Sequence, residues 1–371
     1  MLYIMKRFKA LDVFRGITIC LMIIVNTSGD WSFTFGPLLH ANWHGFTPTD
    51  LVFPSFLFAV GNAFAFVKTG WGNKTFSNVF LKITKRTVLI FILGYTMYWI
   101  PFMTWTESGN LTFVPFSDTR ILGVLQRIAL CYFAGAVMIY FLSIRQLIIG
   151  SGVILVAYWA VMYSFGDYSL EGNFVRIVDR LLLGDSHLHK GDGIPFDPEG
   201  LLSTLPSIVN VIGGYLVGKY VIDGGVNFEK LSKMLLVGVG MLVLGYIWDL
   251  GFPVNKKLWT SSFVILTTGL DIILLSVLIY SIDLIQKPVN YHFFEVFGKN
   301  SLFIYLLSEY LAIGMNFIRV IGDQSLYTYI YEIGFSWIGQ YYGAFFFALV
   351  FMFICWAAGW WLHKKKIYIK V

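Results

Sequence analysis

Apolar runs long enough to cross a membrane recur along the whole chain and alternate with shorter polar segments. A helix needs about 20 apolar residues to cross about 30 Å of hydrocarbon. Ten segments of roughly this kind stand out, at about residues 9–27, 50–67, 85–103, 121–142, 146–164, 201–222, 232–250, 258–282, 293–318 and 336–362. The pattern predicts an all-α fold, a polytopic bundle of about ten transmembrane helices.

The lysines and arginines predict the orientation of this bundle, because basic residues in short loops mark the cytoplasmic side. Most fall at one set of alternate connections and at the termini: Lys6, Arg7, Lys9, Lys68, Lys74, Lys82, Lys85, Arg86, Arg145, Lys230, Lys233, Lys287, Lys364, Lys365 and Lys366. We therefore expect one domain over 1–371 in the cell's inner membrane. Its termini are predicted to be cytoplasmic, with residues 28–49 and 165–200 as extracytoplasmic loops. Lys256 and Lys257 lie in a short outer loop against this rule, which suggests a role other than topology.

The composition excludes several classes of protein. Hydrophobic residues make up 57% of the chain and charged residues 13%, whereas a soluble domain carries about 25% charged residues. The net charge of +6 comes from the lysines and arginines that mark the cytoplasmic side, so we expect no nucleic-acid partner. Cys20, Cys131 and Cys355 each lie inside an apolar run, where packing is their expected role. His187 and His189 have a weak metal-binding spacing without further ligands, so no metal is expected.

The second outer loop is acidic. Residues 165–200 carry seven acidic side chains against three basic ones, a net charge of −4. An acidic outer mouth would favour a cationic substrate such as an amino sugar, although acidic residues are also simply tolerated outside. The stretch "NFVRIVDRLLLG" in this loop is amphipathic and is predicted to lie on the membrane surface.

Ionisable side chains inside predicted spans are functional candidates, because they are costly to bury there. Arg127, Asp271 and Glu309 are of this kind. Arg127 could instead pair with one of the two acids and hold the bundle together. The same three residues support an alternative function, a secondary transporter with an ion or substrate relay. Asp12 and Arg15, three residues apart on one helix face, are predicted to form a local ion pair.

The segment "LLHANWHGFTPTD", residues 38–50, concentrates polar chemistry between the first two predicted spans. His40 and His44 could act as a general base or as a nucleophile toward an acyl group. Asn26 and Asp50, at the adjoining ends of the two spans, are candidate supports for such a histidine. Asp50 has an equally good structural role, because an acidic residue at a helix start favours the helix dipole. The chemistry of the residues leaves these choices open.

Several sequence blocks resemble a known family. "LDVFRGITICLMIIVN" followed by "HANWHGFTPTDLVFPSFLFAVG" is similar to the opening of the heparan-α-glucosaminide N-acetyltransferase family of transmembrane acyltransferases. The likeness continues, in order, in "GVLQRIALCYF", "FDPEGLLSTLPSIVNVIGGYLVGK", "FPVNKKLWTSSFVILTTG" and "GKNSLFIYLLSE". It covers most of the chain, from about residue 10 to about residue 312. The lumenal enzyme carries an additional N-terminal domain and span, so we expect a compact, bacterial-type relative.

The resemblance implies that acetyl-CoA is used from the cytoplasmic side and that the acetyl group passes to an acceptor on the far side. The family's catalytic histidine corresponds to His40, and its supporting asparagine and aspartate correspond to Asn26 and Asp50. Other polar or aromatic groups in the matching blocks are expected to line the acyl route or the acceptor site: Trp43, His44, Gln126, Arg127, Ser203, Asn255, Lys256, Asn300 and Ser301.

The leading hypothesis is thus an acetyl-CoA-dependent transmembrane acetyltransferase that acts on the amine of a terminal amino sugar such as glucosamine, with His40 as base or acyl-carrying nucleophile. Besides the transporter, a third hypothesis keeps the acyltransferase scaffold but changes the acyl donor or the glycan acceptor. The expected partners are acetyl-CoA, the acceptor sugar or glycan and the lipid bilayer, and an apolar outer face would also allow a homodimer.

Overall fold

The computed structural model describes residues 9–71, 75–285 and 291–369. Four of the basic residues used to predict topology, Lys6, Arg7, Lys74 and Lys287, lie outside these ranges. The described part contains thirteen α-helices: α1 Lys9–Asn26, α2 Val52–Lys68, α3 Phe76–Trp99, α4 Val124–Phe141, α5 Ile144–Phe165, α6 Phe174–Leu183, α7 Thr204–Gly224, α8 Phe228–Asp249, α9 Ser261–Ile279, α10 His292–Lys299, α11 Ser301–Phe317, α12 Leu326–Gly334 and α13 Gln340–Lys364.

Two small antiparallel hairpins complete the regular structure of the described ranges. Strand β1 (Met103–Trp105) pairs with β2 (Leu111–Phe113) in the register Thr104 opposite Thr112. Strand β3 (Arg319–Ile321) pairs with β4 (Gln324–Ser325). Both hairpins are short connections between helices, so the fold class is all-α, as the hydrophobic pattern predicts.

Each of the ten predicted spans overlaps a long helix. Seven helical segments within the described ranges are long and apolar enough to cross a membrane, at Pro48–Lys68, Val124–Phe141, Ile144–Phe165, Thr204–Gly224, Phe228–Asp249, Ser261–Leu284 and Gln340–Lys364. Helices α1 and α3 also reach this length but carry three charged residues each in their first halves, and α11 is a shorter apolar helix of 17 residues. The protein is a polytopic helical bundle and an integral membrane protein.

Some predicted boundaries differ from the observed ones. The ninth predicted span is two helices, α10 and α11, because the backbone at Asn300 (φ −127°, ψ 37°) is not helical. Helix α3 begins at Phe76 rather than at residue 85, since charged residues in its first turns lie at the bundle's end and do not interrupt the helix. The amphipathic stretch in the acidic loop is helix α6, in which Leu181 is exposed and Val175 is buried.

Close backbone contact holds the central helices together. A Cβ atom on Gly61 of α2 would lie 1.9 Å from the Val211 carbonyl oxygen of α7, and one on Gly214 of α7 would lie 2.0 Å from that of Phe58. Helices in lipid associate through such small residues, because they allow backbones to approach. The pair α2–α7 thereby fixes the relative positions of the loops that precede both helices.

The long helices run between two ends of the bundle. One end, called here the His40 end, contains the connections 27–51, 100–123, 166–203, 250–260 and 318–339. Contacts such as Trp43 Nε1 to the Tyr168 carbonyl (2.7 Å) and Tyr327 Oη to the Ser28 carbonyl (2.8 Å) join these connections. The other end, called the basic end, carries lysines and arginines in the helix ends that border the α2–α3, α4–α5 and α7–α8 connections, such as Lys68, Arg145 and Lys230. Cys20, Cys131 and Cys355 are buried and unbridged, as predicted.

Candidate active site

His40 and Asp50 form a hydrogen-bonded pair at the His40 end. The His40 Nδ1 and Asp50 Oδ1 atoms are 2.7 Å apart, and the His40 side chain is 44% exposed while that of Asp50 is 1% exposed. A buried carboxylate at this distance favours the tautomer with the proton on Nδ1. In this tautomer the lone pair of the ring is on Nε2.

The second oxygen of Asp50 is held by the local fold. Asp50 Oδ2 accepts hydrogen bonds from the Ala41 amide (3.2 Å), the Thr47 amide (3.0 Å) and the Thr47 hydroxyl (3.0 Å). Asp50 occupies the first turn that leads into α2, the structural role considered for it above. It therefore both orders this turn and orients His40, and the donors to its two oxygens stabilise the ionised carboxylate.

Lys256, the basic residue that violates the topology rule, lies against the imidazole. Its Nζ atom is 3.0 Å from both His40 Nδ1 and His40 Nε2 and 4.0 Å from Asp50 Oδ1. A point equidistant from both ring nitrogens lies off the in-plane axis of either lone pair. The ammonium group thus contacts both ring nitrogens without lying in line with the Nε2 lone pair.

The surroundings lower the pKa of both His40 and Lys256. Burial lowers the pKa of His40 and the positive charge of Lys256 adds to this effect, whereas the hydrogen bond to Asp50 opposes it. Burial also lowers the pKa of Lys256, against the attraction of Asp50 and Glu199. His40 is therefore neutral, and able to accept a proton, at neutral pH.

His44 and Trp43 lie beside this pair but have other contacts. His44 Nδ1 is 3.3 Å from Asn255 Nδ2, and burial lowers the pKa of His44. Asn255 also shapes its own loop, because its Oδ1 accepts from the Leu258 amide at 2.8 Å. The Trp43 ring lies 5.9 Å from the Lys257 ammonium.

Asn26 does not contact His40 in this structure. Its Nδ2 donates to Glu309 Oε1 at 3.1 Å, which joins the end of α1 to α11. Arg127 is fully buried and donates to the Gly200 carbonyl (3.1 Å) and to the Ser203 hydroxyl. Arg127 also lies over the Trp259 ring at 4.9 Å.

The suggested pairing of Arg127 with an intramembrane acid is wrong. Asp271 is hydrogen-bonded to the Ser55 hydroxyl and Glu309 to Asn26, while Arg127 binds the loop before α7. The short run between Gly200 and Ser203 brings a carbonyl and a hydroxyl to Nη2 of the guanidinium, while its Nε and Nη1 atoms are buried without a hydrogen-bond partner among the described residues. The predicted pair of Asp12 and Arg15 is confirmed.

Three of the predicted site residues lie away from His40. The Gln126 Nε2 donates to the Ile121 carbonyl at 3.0 Å, which is a local contact at the start of α4. Asn300 lies at the basic end, where it binds the carbonyl of Ile367 (3.1 Å) and the amide of Ile369 (3.0 Å). Ser301 follows it and lines a small cavity near that end. Asn300 thus ties the C-terminal segment to the α10–α11 break.

An arginine and two acids that were not singled out as site residues lie near His40. Arg120 Nε and Nη2 bind the two oxygens of Asp197 at 2.9 and 2.6 Å, and Nη2 also binds Glu199 Oε2 at 2.5 Å. Glu199 is within electrostatic range of His40 and of Lys256. Its place in the block "FDPEG" and in an acidic loop was a signal that sequence reasoning left unused. Burial alone would raise the pKa of Glu199, but Arg120 and the neighbouring cations outweigh it and lower this pKa.

Two adjoining cavities open at the basic end. The outer one, of about 520 Å³, is lined by Lys82, Lys85 and Arg86 together with apolar residues of α2, α3 and α4. The inner one, of about 100 Å³, is lined by Arg15, Ser301 and apolar residues, and shares Arg86 with the outer one. Cations at the mouth and apolar walls inside suit a ligand with an anionic head and a thin, less polar arm.

No cluster of three His, Cys, Asp or Glu side chains suited to a metal ion is found in the described ranges. His187 instead places its Nδ1 2.7 Å from the Thr119 carbonyl oxygen.

These features define a class: an integral membrane helical bundle with a histidine–aspartate pair, a lysine and buried charge at one end and a basic cavity at the other. The sequence model described as heparan-alpha-glucosaminide N-acetyltransferase, catalytic, matches residues 7–234. The chain therefore belongs to the heparan-alpha-glucosaminide N-acetyltransferase family.

Two relatives carry that name. The mouse and human heparan-alpha-glucosaminide N-acetyltransferases are each 28% identical to this chain over 82% of its length. The alignments cover 54% of the mouse protein and 53% of the human protein. The chain thus spans about half the length of the curated relatives it matches. His40, Asp50, Arg127 and Ser203 fall inside the family match, and Lys256 and Glu309 lie beyond it.

Proposed function

We propose that this protein is a transmembrane acetyltransferase that moves an acetyl group from acetyl-CoA to the amine of a terminal amino sugar. The observation that carries the proposal is the His40–Asp50 pair, with His40 Nδ1 2.7 Å from Asp50 Oδ1 and the Lys256 ammonium 3.0 Å from His40 Nε2. Family membership favours acetyl transfer over the alternative of a secondary transporter. The proposal places the basic end in the cytoplasm and the His40 end outside the inner membrane.

In the direct route, the acceptor's ammonium group first loses one proton to solvent, and the neutral amine then attacks the thioester carbonyl carbon. The new C–N bond forms, the amine proton passes to His40 Nε2, and the C–S bond breaks. The proton then moves from His40 to the departing thiolate, which leaves as the free thiol of CoA. Asp50 stabilises the transient imidazolium, and the Lys256 ammonium favours the negative charge that develops on the carbonyl oxygen.

In the covalent route, His40 Nε2 itself attacks the thioester and the CoA thiolate leaves. The acceptor amine then attacks the acetylated imidazole, the histidine–acetyl bond breaks, and the amine proton is released to balance the thiolate. The two routes use the same residues. They differ in whether an acetylated His40 forms when acetyl-CoA is supplied without an acceptor, which peptide mass spectrometry detects.

The donor is proposed to enter at the basic end. Lys82, Lys85 and Arg86 suit the phosphates of CoA, because charged donors bind phosphate oxygens strongly. The inner cavity beyond Arg86 would take the pantetheine arm toward the bundle's centre. This cavity extends only part of the way to His40, so the arm requires further side chains to move aside.

The acceptor is proposed to bind at the His40 end, where Glu199 and Glu309 lie. A carboxylate near the site favours a substrate that arrives as an ammonium ion. Glu199 already binds Arg120, which leaves Glu309, held by Asn26, as the second acidic contact for a sugar amine or hydroxyl. The third hypothesis keeps the same scaffold but has another acyl donor or glycan acceptor. Assays with panels of acyl donors and acceptors test it.

The first experiment measures release of the CoA thiol by the purified protein in detergent, with acetyl-CoA and with or without glucosamine. Wild type is expected to release thiol in a glucosamine-dependent manner, and His40→Ala is expected to abolish it. His187→Ala is the matched control, since His187 is a half-buried histidine at the same end that binds only a backbone carbonyl. Full activity of His40→Ala would refute the role of His40. Two results together would favour the secondary transporter over the acetyltransferase. Wild type would release no thiol with any amine acceptor or acyl donor, and the purified protein in vesicles would take up solute in a manner that depends on Asp271.

A further inference from the structure

A large apolar cleft opens on the outer surface of the bundle near the basic end, away from the site described above. It has a volume of about 840 Å³ and lies between α5, α7, α8 and α9. Its walls include Ile148 of α5, Leu216 of α7, Val237 of α8 and Ile272 of α9. Ile148 and Val237 are more than half exposed, and helices α5 and α8 belong to the spans with the smallest buried fraction. The cleft therefore faces lipid.

Lysines gather at one rim of this cleft. Lys219, Lys230 and Lys233 all line it, together with the carboxylate of Asp223. The Lys230 Nζ donates to the Tyr220 carbonyl at 2.7 Å and lies 4.5 Å from the centre of the Tyr220 ring. It is thus held at the rim by an uncharged partner and keeps donors for another ligand.

The other two lysines have partners that are easily exchanged. Lys219 pairs with Asp223 at 2.7 Å and Lys233 with Glu229 at 2.5 Å, each four residues away on the same helix. Both pairs are solvent-exposed, and such pairs contribute little to stability. A stronger acceptor, such as a phosphate oxygen, can therefore displace the carboxylates at small cost.

The net charge of the rim is positive. Lys68, at the end of α2, lies close enough to Lys219 for the two ammonium groups to repel each other. Among the described residues the rim thus brings three lysines together with the carboxylate of Asp223, with Lys68 and Glu229 beside it. An apolar cleft that faces lipid and ends at clustered lysines complements an anionic phospholipid, whose acyl chain is apolar and whose head group is negative.

We propose that this cleft binds one anionic phospholipid, with an acyl chain against Ile148 and Val237 and the phosphate at Lys219, Lys230 and Lys233. The site is separate from the cavity of Lys82, Lys85 and Arg86, and the proposal does not depend on the acetyltransferase activity. With the predicted orientation, the lipid comes from the cytoplasmic leaflet. Neutral lipids lack the net charge that the rim complements.

The test measures lipid binding to the purified full chain by native mass spectrometry in detergent, with phosphatidylglycerol and phosphatidylcholine of matched acyl chains. Wild type is expected to bind one phosphatidylglycerol in preference to phosphatidylcholine. A lysine beside an anionic head group strengthens binding roughly fivefold. The triple change Lys219→Gln, Lys230→Gln and Lys233→Gln is therefore expected to weaken phosphatidylglycerol binding about a hundredfold.

The matched control changes Lys364, Lys365 and Lys366 to Gln, which removes the same charge at the same end but outside the cleft. It is expected to leave phosphatidylglycerol binding unchanged. Val237→Trp fills the apolar part of the cleft and is expected to weaken phosphatidylglycerol binding without altering the lysines. The single change Lys233→Gln, at an exposed side chain, gives a folded variant with an expected loss of about fivefold.

Four results would overturn the proposal. Equal binding of both lipids to wild type would show that the lysines do not select charge. An equal loss in the control triple variant would show diffuse attraction to the basic end. Displacement of the lipid by inorganic phosphate alone would assign the rim to a soluble anion, and a dimer broken by Val237→Trp would assign the cleft to a second copy of the chain.

Discussion

At the scale of single residues, His40 depends on a partner that serves two purposes. Asp50 holds the turn before α2 through Oδ2 and orients the imidazole through Oδ1. Because the same carboxylate does both, changing it tests orientation and folding together. Substitutions that keep the shape of a side chain and change its charge or hydrogen-bonding direction separate the effect on orientation from the effect on folding.

Asp50→Asn keeps the size of the side chain but offers no negative charge to the imidazole. We expect the acetyl-transfer rate constant kcat to fall by on the order of 10³, because the wrong tautomer is populated and the imidazolium loses its counter-charge. Steady-state thiol release measures this. Asp185→Asn is the control, since Asp185 binds Arg180 at the surface of the acidic loop. Wild-type kcat in Asp50→Asn would show that this pair does not orient the base.

Lys256→Gln removes the cation beside His40 and tests how the pH profile arises. The acidic limb of kcat/KM reports protonation of His40, whose pKa lies below its ordinary value in the wild type. Loss of the Lys256 charge removes one of the causes that lower this pKa, so the limb is expected to move to higher pH. The kcat is expected to fall by about 10²–10³ if the ammonium stabilises the oxyanion.

Lys257→Gln is the matched control for this change, because the neighbouring Lys257 binds Asp192 and lies beside Trp43. Its acidic limb is expected to stay where the wild-type limb lies. An acidic limb that stayed in place in Lys256→Gln would contradict the electrostatic account of His40.

Asp179, on the surface helix α6, provides a test of stability against pH. Burial raises the pKa of Asp179 to about 7, so the folded protein holds a proton that the unfolded chain loses at lower pH. Its contribution to stability is present below the unfolded pKa and is lost as the pH rises through about 7. Asp179→Asn is expected to flatten the decline in Tm between pH 5 and pH 8, measured by thermal unfolding in detergent. Asp185→Asn serves again as control. An unchanged decline in Tm in Asp179→Asn would show that the raised pKa of Asp179 does not cause it.

At the scale of elements, the contact between α2 and α7 positions the two halves of the site. Helix α2 begins just after Asp50, and α7 begins just after Ser203, which holds Arg127. Backbone contact at Gly61 and Gly214 leaves no space for a side-chain carbon. The distance between the two helices therefore controls both the turn that carries Asp50, the partner of His40, and the loop that carries Glu199.

Gly214→Ala is expected to separate α2 and α7, because its Cβ would meet the Phe58 carbonyl oxygen at 2.0 Å. We expect a loss of about 1–3 kcal/mol in stability, typical of overpacking, together with reduced activity. Thermal unfolding in detergent measures the first. The control is Gly152→Ala in α5, where nothing lies within 4 Å of the new carbon, and where alanine is expected to be neutral or stabilising by up to about 1 kcal/mol. Equal Tm values for the two variants would contradict the close packing.

At the scale of the whole molecule, the donor and the acceptor are proposed to meet from opposite ends of the bundle. The basic end offers the cavities lined by Arg86, and the His40 end offers the His40–Asp50 pair. This separation agrees with the orientation predicted from the loop charges. It makes the side from which each substrate must be supplied a property that can be measured.

Arg86→Gln tests the donor end. Arg86 lines both cavities, so we expect the KM for acetyl-CoA to rise by about 10-fold or more, as for loss of a charge-assisted hydrogen bond, with the KM for the amine unchanged. Lys365→Gln, an exposed residue at the same end, is the control and is expected to behave as the wild type. In sealed vesicles, acetyl-CoA is expected to support transfer only from the face that carries Lys82 and Arg86. Transfer with acetyl-CoA on the His40 face alone would contradict the proposed route.

The sequence by itself determined the class of the fold, because apolar runs of membrane length have few alternatives to helices in lipid. It also pointed to His40, Asp50 and Lys256 as residues of interest, through a concentrated polar segment, a family resemblance and a lysine against the topology rule. Only the tertiary structure decided which of these residues meet. Asp50 lies only ten positions from His40 in the sequence, whereas packing brings Lys256 to the same ring from over two hundred positions away.

The same distinction explains what the sequence analysis missed. Arg127 and Glu309 have partners set by how α1, α4, α7 and α11 pack, and no pattern of spacing specifies a contact between distant helices. The ninth span hides a break at Asn300 because hydropathy records the length of an apolar run and not the backbone angles inside it. Long-range partners and local breaks are decided by packing, whereas the presence of membrane helices is decided by composition alone.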